Sequence, residues 1–262
     1  MHPMDLPIVM HVPGRRFIEF FVEMDLSQHV LDDLTDLFDS FGVNIVNGLI
    51  TCRPREGKRI LEIFSDFSEA TLPLEKFVGL LRSVKGVFNV EFKEGFREGL
   101  AISRLQYPPR VLGEEAVIFR RSVLESWFKR LWRMFKTGAS TILYESGVES
   151  GRNAAKIFRE RLGLDGEELI RFIAGVGQPL GWGVFDFLEV DMERFKATVN
   201  IKNSFECLIL KGEIPGPASN FVRGYMVGVA REVWRKDETA AEEVKCIAKG
   251  DPYCQIKVFL KS

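Results

Sequence analysis

Polar and apolar positions alternate with a strand period over Arg15–Met24 (RRFIEFFVEM), then change to a helical period. In LSQHVLDDLTDLFDSFG the apolar residues Val30, Leu31, Leu34, Leu37, Phe38 and Phe41 fall at helical spacing, with Ser27 placed to cap the start and Gly42 the end. VNIVNGLITC and KRILEIFSDF return to alternation across a polar RPREG turn. LPLEKFVGLLRSVKG predicts a second helix with Pro73 near its first turn and Gly86 after its end, and VFNVEFKE a last strand. The order over residues 15–95 is β-α-β-β-α-β.

That order is the ferredoxin-like split arrangement, and residues 1–95 are expected to form one domain. Residues 96–112, with Pro108-Pro109 and no sustained period, are expected to be a linker or docking segment. Residues 114–178 predict helices. AVIFRRSVLESWFKRLWRMFK sets Phe119, Val123, Trp127, Leu131, Met134 and Phe135 on an apolar side, with Arg120, Arg121, Lys129, Arg130, Arg133 and Lys136 around it. Such a helix is expected to pack with its charges solvated rather than to lie on a membrane. In the next helical stretch Gly147 and Gly151 are four apart, which permits close approach of another element. Beyond residue 180, GWGVFDFLEV and FKATVNIKNSFECLIL predict strands, NFVRGYMVGVAREVWR a helix with Gly224 and Gly228, and EEVKCIA with CQIKVFL a closing hairpin. The second domain, residues 113–262, is thus expected to gather helices on an antiparallel sheet, and the chain is α+β.

Gly250, Asp251 and Pro252 centre the hairpin turn, so Cys246 and Cys254 are expected to oppose each other on one face. Two thiols so placed can share a metal ion, form a disulfide or stay buried. All three histidines, His2, His11 and His29, precede residue 30, so a metal site beyond them must use Cys, Asp or Glu. The glycine cluster Gly175 to Gly183 lacks dinucleotide spacing, contains Pro179, and is explained by a helix end and a strand start. Glu206 and Cys207 are adjacent in a predicted strand before the Pro215–Pro217 turn and should face opposite ways.

The 262 residues carry a net charge of −1, which gives no argument for nucleic acid as the main partner. Neither a signal peptide nor an apolar run of membrane-spanning length is visible, so a soluble, cytoplasmic protein is expected. Glutamine is scarce and Glu, Lys and Arg abound, a thermophile-like balance in which intracellular disulfides do occur.

The N-terminal unit resembles an ACT regulatory domain. Amino-acid-binding ACT domains carry an Asp-x-x-Gly-like turn after the first strand; here that stretch is Asp25-Leu26-Ser27-Gln28-His29, without glycine, so a pairing module is expected. NSFE, FVRGYMVG, EEVKC and GDPYC, in that order, resemble the 4-vinyl-reductase domain, over about residues 113–260. That domain also occurs in aromatic-sensing activators and is related to transport-particle (TRAPP) subunits. The resemblance implies a zinc site of one Glu and three Cys, which maps to Glu206, Cys246 and Cys254. The remaining cysteine position holds Ser219, so water or Cys207 would complete the set. It further implies a pocket for a small hydrophobic ligand, drawing on Trp182, Phe185, Phe187, Phe205, Phe221 and Tyr225. A cytoplasmic sensor acting as a homodimer is the expected function, with no catalytic residue assigned and no specific DNA binding by this chain alone. A component of a vinyl-group reductase and an assembly module are the alternatives; no dinucleotide fingerprint or iron–sulfur cysteine cluster is present to supply electrons.

Overall fold

The computed structural model describes residues 3–214 and 216–261 and divides the chain into two units, Met1–Val117 and Ile118–Ser262, each with its own hydrophobic core. Of the positions singled out above, His2 and Pro215 lie outside the described residues.

In the first unit a short strand β1 (Val9–His11) precedes β2 (Phe17–Met24), α1 (Gln28–Ser40), β3 (Asn44–Arg53), β4 (Lys58–Asp66), α2 (Leu74–Ser83) and β5 (Val87–Glu94). The antiparallel sheet runs β3-β4-β2-β5, the order a split β-α-β unit requires. Alternation on β2 sends Ile18, Phe20, Val22 and Met24 to one face, where Val30, Leu34 and Phe38 of α1 and Phe77, Val78 and Leu81 of α2 cover them. Phe38 and Phe67 meet Phe77 edge-on at 5.0 and 5.3 Å. Such ring pairs contribute about 0.5–1.5 kcal/mol each beyond burial. The stretch 96–112, expected to be a linker, contributes β6 (Leu100–Ile102), which pairs with β1. Three residues are too few for an alternation to register in sequence. A two-residue hairpin, β7 (Arg110–Val111) and β8 (Glu114–Glu115), closes the unit.

The second unit opens with α3 (Arg121–Phe135), α4 (Gly138–Leu162) and α5 (Gly166–Gly177). The strands β9 (Val184–Asp191) and β10 (Lys196–Lys202) follow, then α6 (Phe205–Leu210), α7 (Asn220–Trp234), β11 (Thr239–Lys245) and β12 (Cys254–Leu260). The antiparallel sheet runs β11-β12-β10-β9. Its core row pairs Ala197 with Val258, Val199 with Ile256 and Ile201 with Cys254. Val222, Met226, Val229, Ala230 and Val233 of α7 belong to the same core. No helix among the described residues is long and apolar enough to cross a membrane.

One expectation changes here. The strand predicted to run through residue 210 ends at Lys202, and Phe205–Leu210 is helical. Asn203 adopts a left-handed φ of 55°, a conformation asparagine tolerates better than most side chains, and it breaks the strand. Ser204 then stands at the helix N-cap.

Candidate metal centre and aromatic cluster

The turn between β11 and β12 brings the two C-terminal cysteines together. Lys245 pairs with Gln255, the register that a turn centred on Gly250 gives. Cys246 and Cys254 therefore sit at the mouth of the turn, both fully buried. Asp251 fixes the turn by accepting the Cys246 amide at 2.8 Å, and Gly250 adopts φ 105°.

A third thiol arrives from α6. Cys207 Sγ lies 3.4 Å from Cys254 Sγ and 3.6 Å from Cys246 Sγ. The expectation that Cys207 faces away rested on a strand; on a helix of one and a half turns Cys207 points into the cluster. Glu243 completes the group: one ligand atom from each of Cys207, Glu243, Cys246 and Cys254 lies within 4.8 Å of every other. A regular strand would put Glu243 on the face opposite Cys246, three residues on. A bulge between Glu243 and Lys245 inserts one residue and restores it to the same side.

The surroundings prepare these groups for a cation. The backbone amide of Ala218 donates to Cys246 Sγ at 3.3 Å, and that of Ile247 to Cys254 Sγ at 3.4 Å. Ser219 holds the carboxylate, its amide donating to Glu243 Oε2 at 3.0 Å and its hydroxyl to Oε1 at 2.6 Å. Burial raises the Glu243 carboxyl to about 7, with the neighbouring Cys246 adding to the shift. Hydrogen bonds to Cys246 and Cys254 push the Cys207 thiol up, and hydrogen bonds from Cys207 and Cys254 pull Cys246 down. Three thiols and a carboxylate packed in a buried site repel one another once ionised, and a divalent cation among them removes that conflict. Zn–S bonds of about 2.3 Å set tetrahedral sulfurs about 3.8 Å apart, close to the separations seen here. The four residues can hold a metal ion, and the donor set fits zinc.

Glu206 lies outside this group of four. Its carboxylate accepts from the amides of Phe221 at 2.9 Å and Val222 at 3.0 Å, at the N-terminus of α7. Complete burial pushes its carboxyl up to about 8, against the lowering effect of those two bonds. Glu206 thus ties α6 to α7. The expectation that Glu206 joins Cys246 and Cys254 around a metal does not match this placement, because both its oxygens are engaged by the α7 amides and it lies outside the group of four.

Of the aromatic residues singled out in sequence, four form one cluster. Trp182 meets Tyr225 at 4.9 Å, Phe221 at 5.6 Å and Phe205 at 6.1 Å. Phe128 of α3 extends it through Phe205 at 6.0 Å. Phe185 and Phe187 stand apart from it on β9: Phe185 lies against Gly177 of α5, and Phe187 lies under the Arg171 guanidinium. Burial keeps the Tyr225 hydroxyl protonated far above its ordinary range. Among the described residues, the buried Ser204 Oγ and Asn220 Nδ2 have no hydrogen-bond partner.

No family model matches the chain, and no curated protein matches it. Among solved structures, the chain is similar to the phenol-responsive sensory domain of the transcription activator PoxR with phenol, at 13% identity and TM-score 0.51. That match covers 90% of this chain and 92% of that one. A vinyl-4-reductase family protein from Methanocaldococcus jannaschii matches at 18% identity and TM-score 0.39, over 56% of this chain and 85% of that one. The ACT domain of the GTP pyrophosphokinase of Chlorobium tepidum matches at 17% identity and TM-score 0.26, over 30% and 99%. At 13% identity the first of these structures shows the fold alone: the chain is α+β, with a fold similar to that structure.

Proposed function

We propose that this chain is a sensor whose second unit binds a small, largely apolar ligand, and that zinc held by Cys207, Glu243, Cys246 and Cys254 braces the binding region. One observation carries the reading. Phe205 of the aromatic cluster and Cys207 of the thiol cluster are two residues apart on α6, and Ser219 and Phe221 stand in the same relation at the start of α7. Glu206 locks the two elements together from between them. A metal that fixes α6 against the turn thereby fixes the rings. Its contribution is structural, since zinc bound by four protein groups has no open position for substrate.

The ligand class follows from the side chains of the aromatic cluster. Trp182, Phe205, Phe221 and Tyr225 offer ring faces and edges. The Ser204 hydroxyl and the Asn220 amide, each next in sequence to one of these rings, have unused hydrogen-bonding capacity. Apolar rings with a few polar groups nearby in sequence suit a small aromatic molecule with a polar substituent. The similarity in fold to a phenol-responsive sensory domain supports this choice. We read the chain as a homodimer, and residues 1–95 as the unit that pairs it or relays its state.

Two measurements on the full chain test the reading. Native mass spectrometry is expected to show one zinc per chain, lost in Cys207→Ser and Cys254→Ser but kept in Glu206→Gln. Titration calorimetry with phenol is expected to show saturable binding that weakens at least tenfold in Phe221→Ala. A metal-free protein sinks the zinc site; absence of heat with phenol and toluene alike sinks the ligand reading.

A further inference from the structure

We propose that Arg223 and Asn220, at the start of α7, form a binding site for a carboxylate. The inference goes beyond the aromatic-ligand reading: it stands on Arg223 and on none of the four rings of the cluster.

The half-buried arginines of α4 and α7 are matched with acceptors, with one exception. Arg159 pairs with Glu232 and Asp165, Arg152 pairs with Asp237, and Arg231 donates to the Thr239 carbonyl. Arg223 makes no ion pair among the described residues. Its guanidinium donates from Nη2 to Asn220 Oδ1 at 3.5 Å, beyond the ordinary length of such a bond. Its Nε is buried without a partner, and so is Nδ2 of Asn220, a residue only 5% exposed. On the other side the guanidinium lies over the ring of Tyr144, 5.0 Å from its centre. Close packing puts that ring there: a Cβ added at Gly224, next to Arg223, would lie 2.1 Å from Tyr144 O.

The unmatched groups select the ligand. Both are donors, so an acceptor completes them. A guanidinium keeps its charge inside a protein, and a counter-charge is what relieves its partial desolvation. The backbone adds nothing to the site. The amides of Phe221 and Val222 serve Glu206, and that of Arg223 serves the Ser219 carbonyl. The site therefore offers one positive charge, a forked set of donors and one neutral amide. A carboxylate has one negative charge and two coplanar acceptors, which fit the fork; a phosphate dianion leaves one charge uncompensated. The long contact to Asn220 Oδ1 gives way when the carboxylate takes both donors. A free small carboxylate and one carried on an aromatic ring share this chemistry.

Titration calorimetry of the full chain with acetate and with benzoate, at constant ionic strength in chloride, tests the site. Saturable binding of at least one anion is expected, about tenfold weaker in Arg223→Gln. Arg223→Lys, which keeps the charge and loses the fork, is expected to weaken it as well; if Arg223→Gln does not melt cooperatively, this variant carries the test. Benzoate binding that is lost in Phe221→Ala, with no response to acetate, upholds the site and assigns the carboxylate to the aromatic ligand. Acetate binding that survives Phe221→Ala upholds it as a site for a free carboxylate. No heat with either anion, or affinities unchanged in both Arg223 variants, overturns it. Phenol is uncharged at neutral pH, so its own titration reports the aromatic reading separately.

Discussion

At the scale of single residues, proton counting makes a claim about the first unit. Ser103 Oγ lies 3.1 Å from Glu19 Oε1 and 2.9 Å from Glu62 Oε1, and a hydroxyl has one proton to give. Glu19 also accepts the amides of Arg104 and Leu105. The Ser103 hydroxyl can serve one of the two carboxyls at a time, so protonation of Glu62 at low pH relieves the crowding of the two acids. Burial, aided by the charge on Glu19, raises the Glu62 carboxyl above its ordinary value of 4.5, against the pull of the Ser103 bond. The folded state then holds a proton that the unfolded chain releases first, so stability is greatest at low pH and falls as pH rises above about 4.5 through the raised value. Glu62→Gln removes the titrating carboxyl and is expected to flatten that slope in melting curves recorded from acid to neutral pH; an unchanged slope contradicts the titration of Glu62. None of this was legible in the chain, because Ser103 lies 84 residues from Glu19. Cys207 and Glu243 were hidden for different reasons. The signal for Cys207 was present: Asn203-Ser204 followed by an acidic residue is a helix start, and a helix turns Cys207 inward. A single bulged residue governs Glu243, and a regular period gives no sign of one.

At the scale of elements, the second unit is organised by the packing of α4 against α7. A Cβ added at Gly147 or Gly151 would lie 2.2 Å from Phe221 O or 2.1 Å from Tyr225 O. Added at Gly224 or Gly228, it would lie 2.1 Å from Tyr144 O or 2.0 Å from Val148 O. Four glycines thus let the two backbones touch, and the spacing that marked Gly147 and Gly151 in sequence finds its partner in Gly224 and Gly228. Gly→Ala inside an exposed helix normally stabilises by about 0.5–1 kcal/mol. At Gly224 and Gly228 the sign reverses, because the atoms met are backbone and cannot rotate away; a loss of about 2–3 kcal/mol each is expected. Gly79 of α2 is the control, exposed and with nothing within 4 Å of an added Cβ. Chemical denaturation of the three variants decides it. Equal gains at all three positions mean that the helices separate freely and that the glycines do not set their distance. Helices with strong amphipathic periods were legible throughout; the edges of elements were not, since a bulge, a left-handed asparagine or a three-residue strand leaves almost no trace in a period.

At the scale of the whole molecule, two cores with different fastenings share one chain. The first core is held by apolar packing around Phe20, Phe38, Phe67 and Phe77 and offers no thiol: Cys52, its one cysteine, is exposed. The second places three buried thiols and a carboxylate where β11, the closing turn, α6 and the start of α7 converge. Bound metal adds its binding free energy to the folding of the unit that forms the site and to no other. Scanning calorimetry of the full chain is therefore expected to resolve two transitions that respond differently to a metal chelator. The transition of the second unit should move down, by about 2–4 °C for each kcal/mol of lost binding at this size. The transition of the first unit should stay in place, and Cys254→Ser should reproduce the chelated curve without any chelator. Glu62→Gln, at the far end of the same logic, should alter only the transition that the chelator leaves alone. If the chelator shifts both transitions together, the units melt as one and the metal braces the whole molecule. If it shifts neither, the thiol cluster is sustained by packing alone, and the coupling between metal and aromatic cluster through α6 and α7 loses its physical basis.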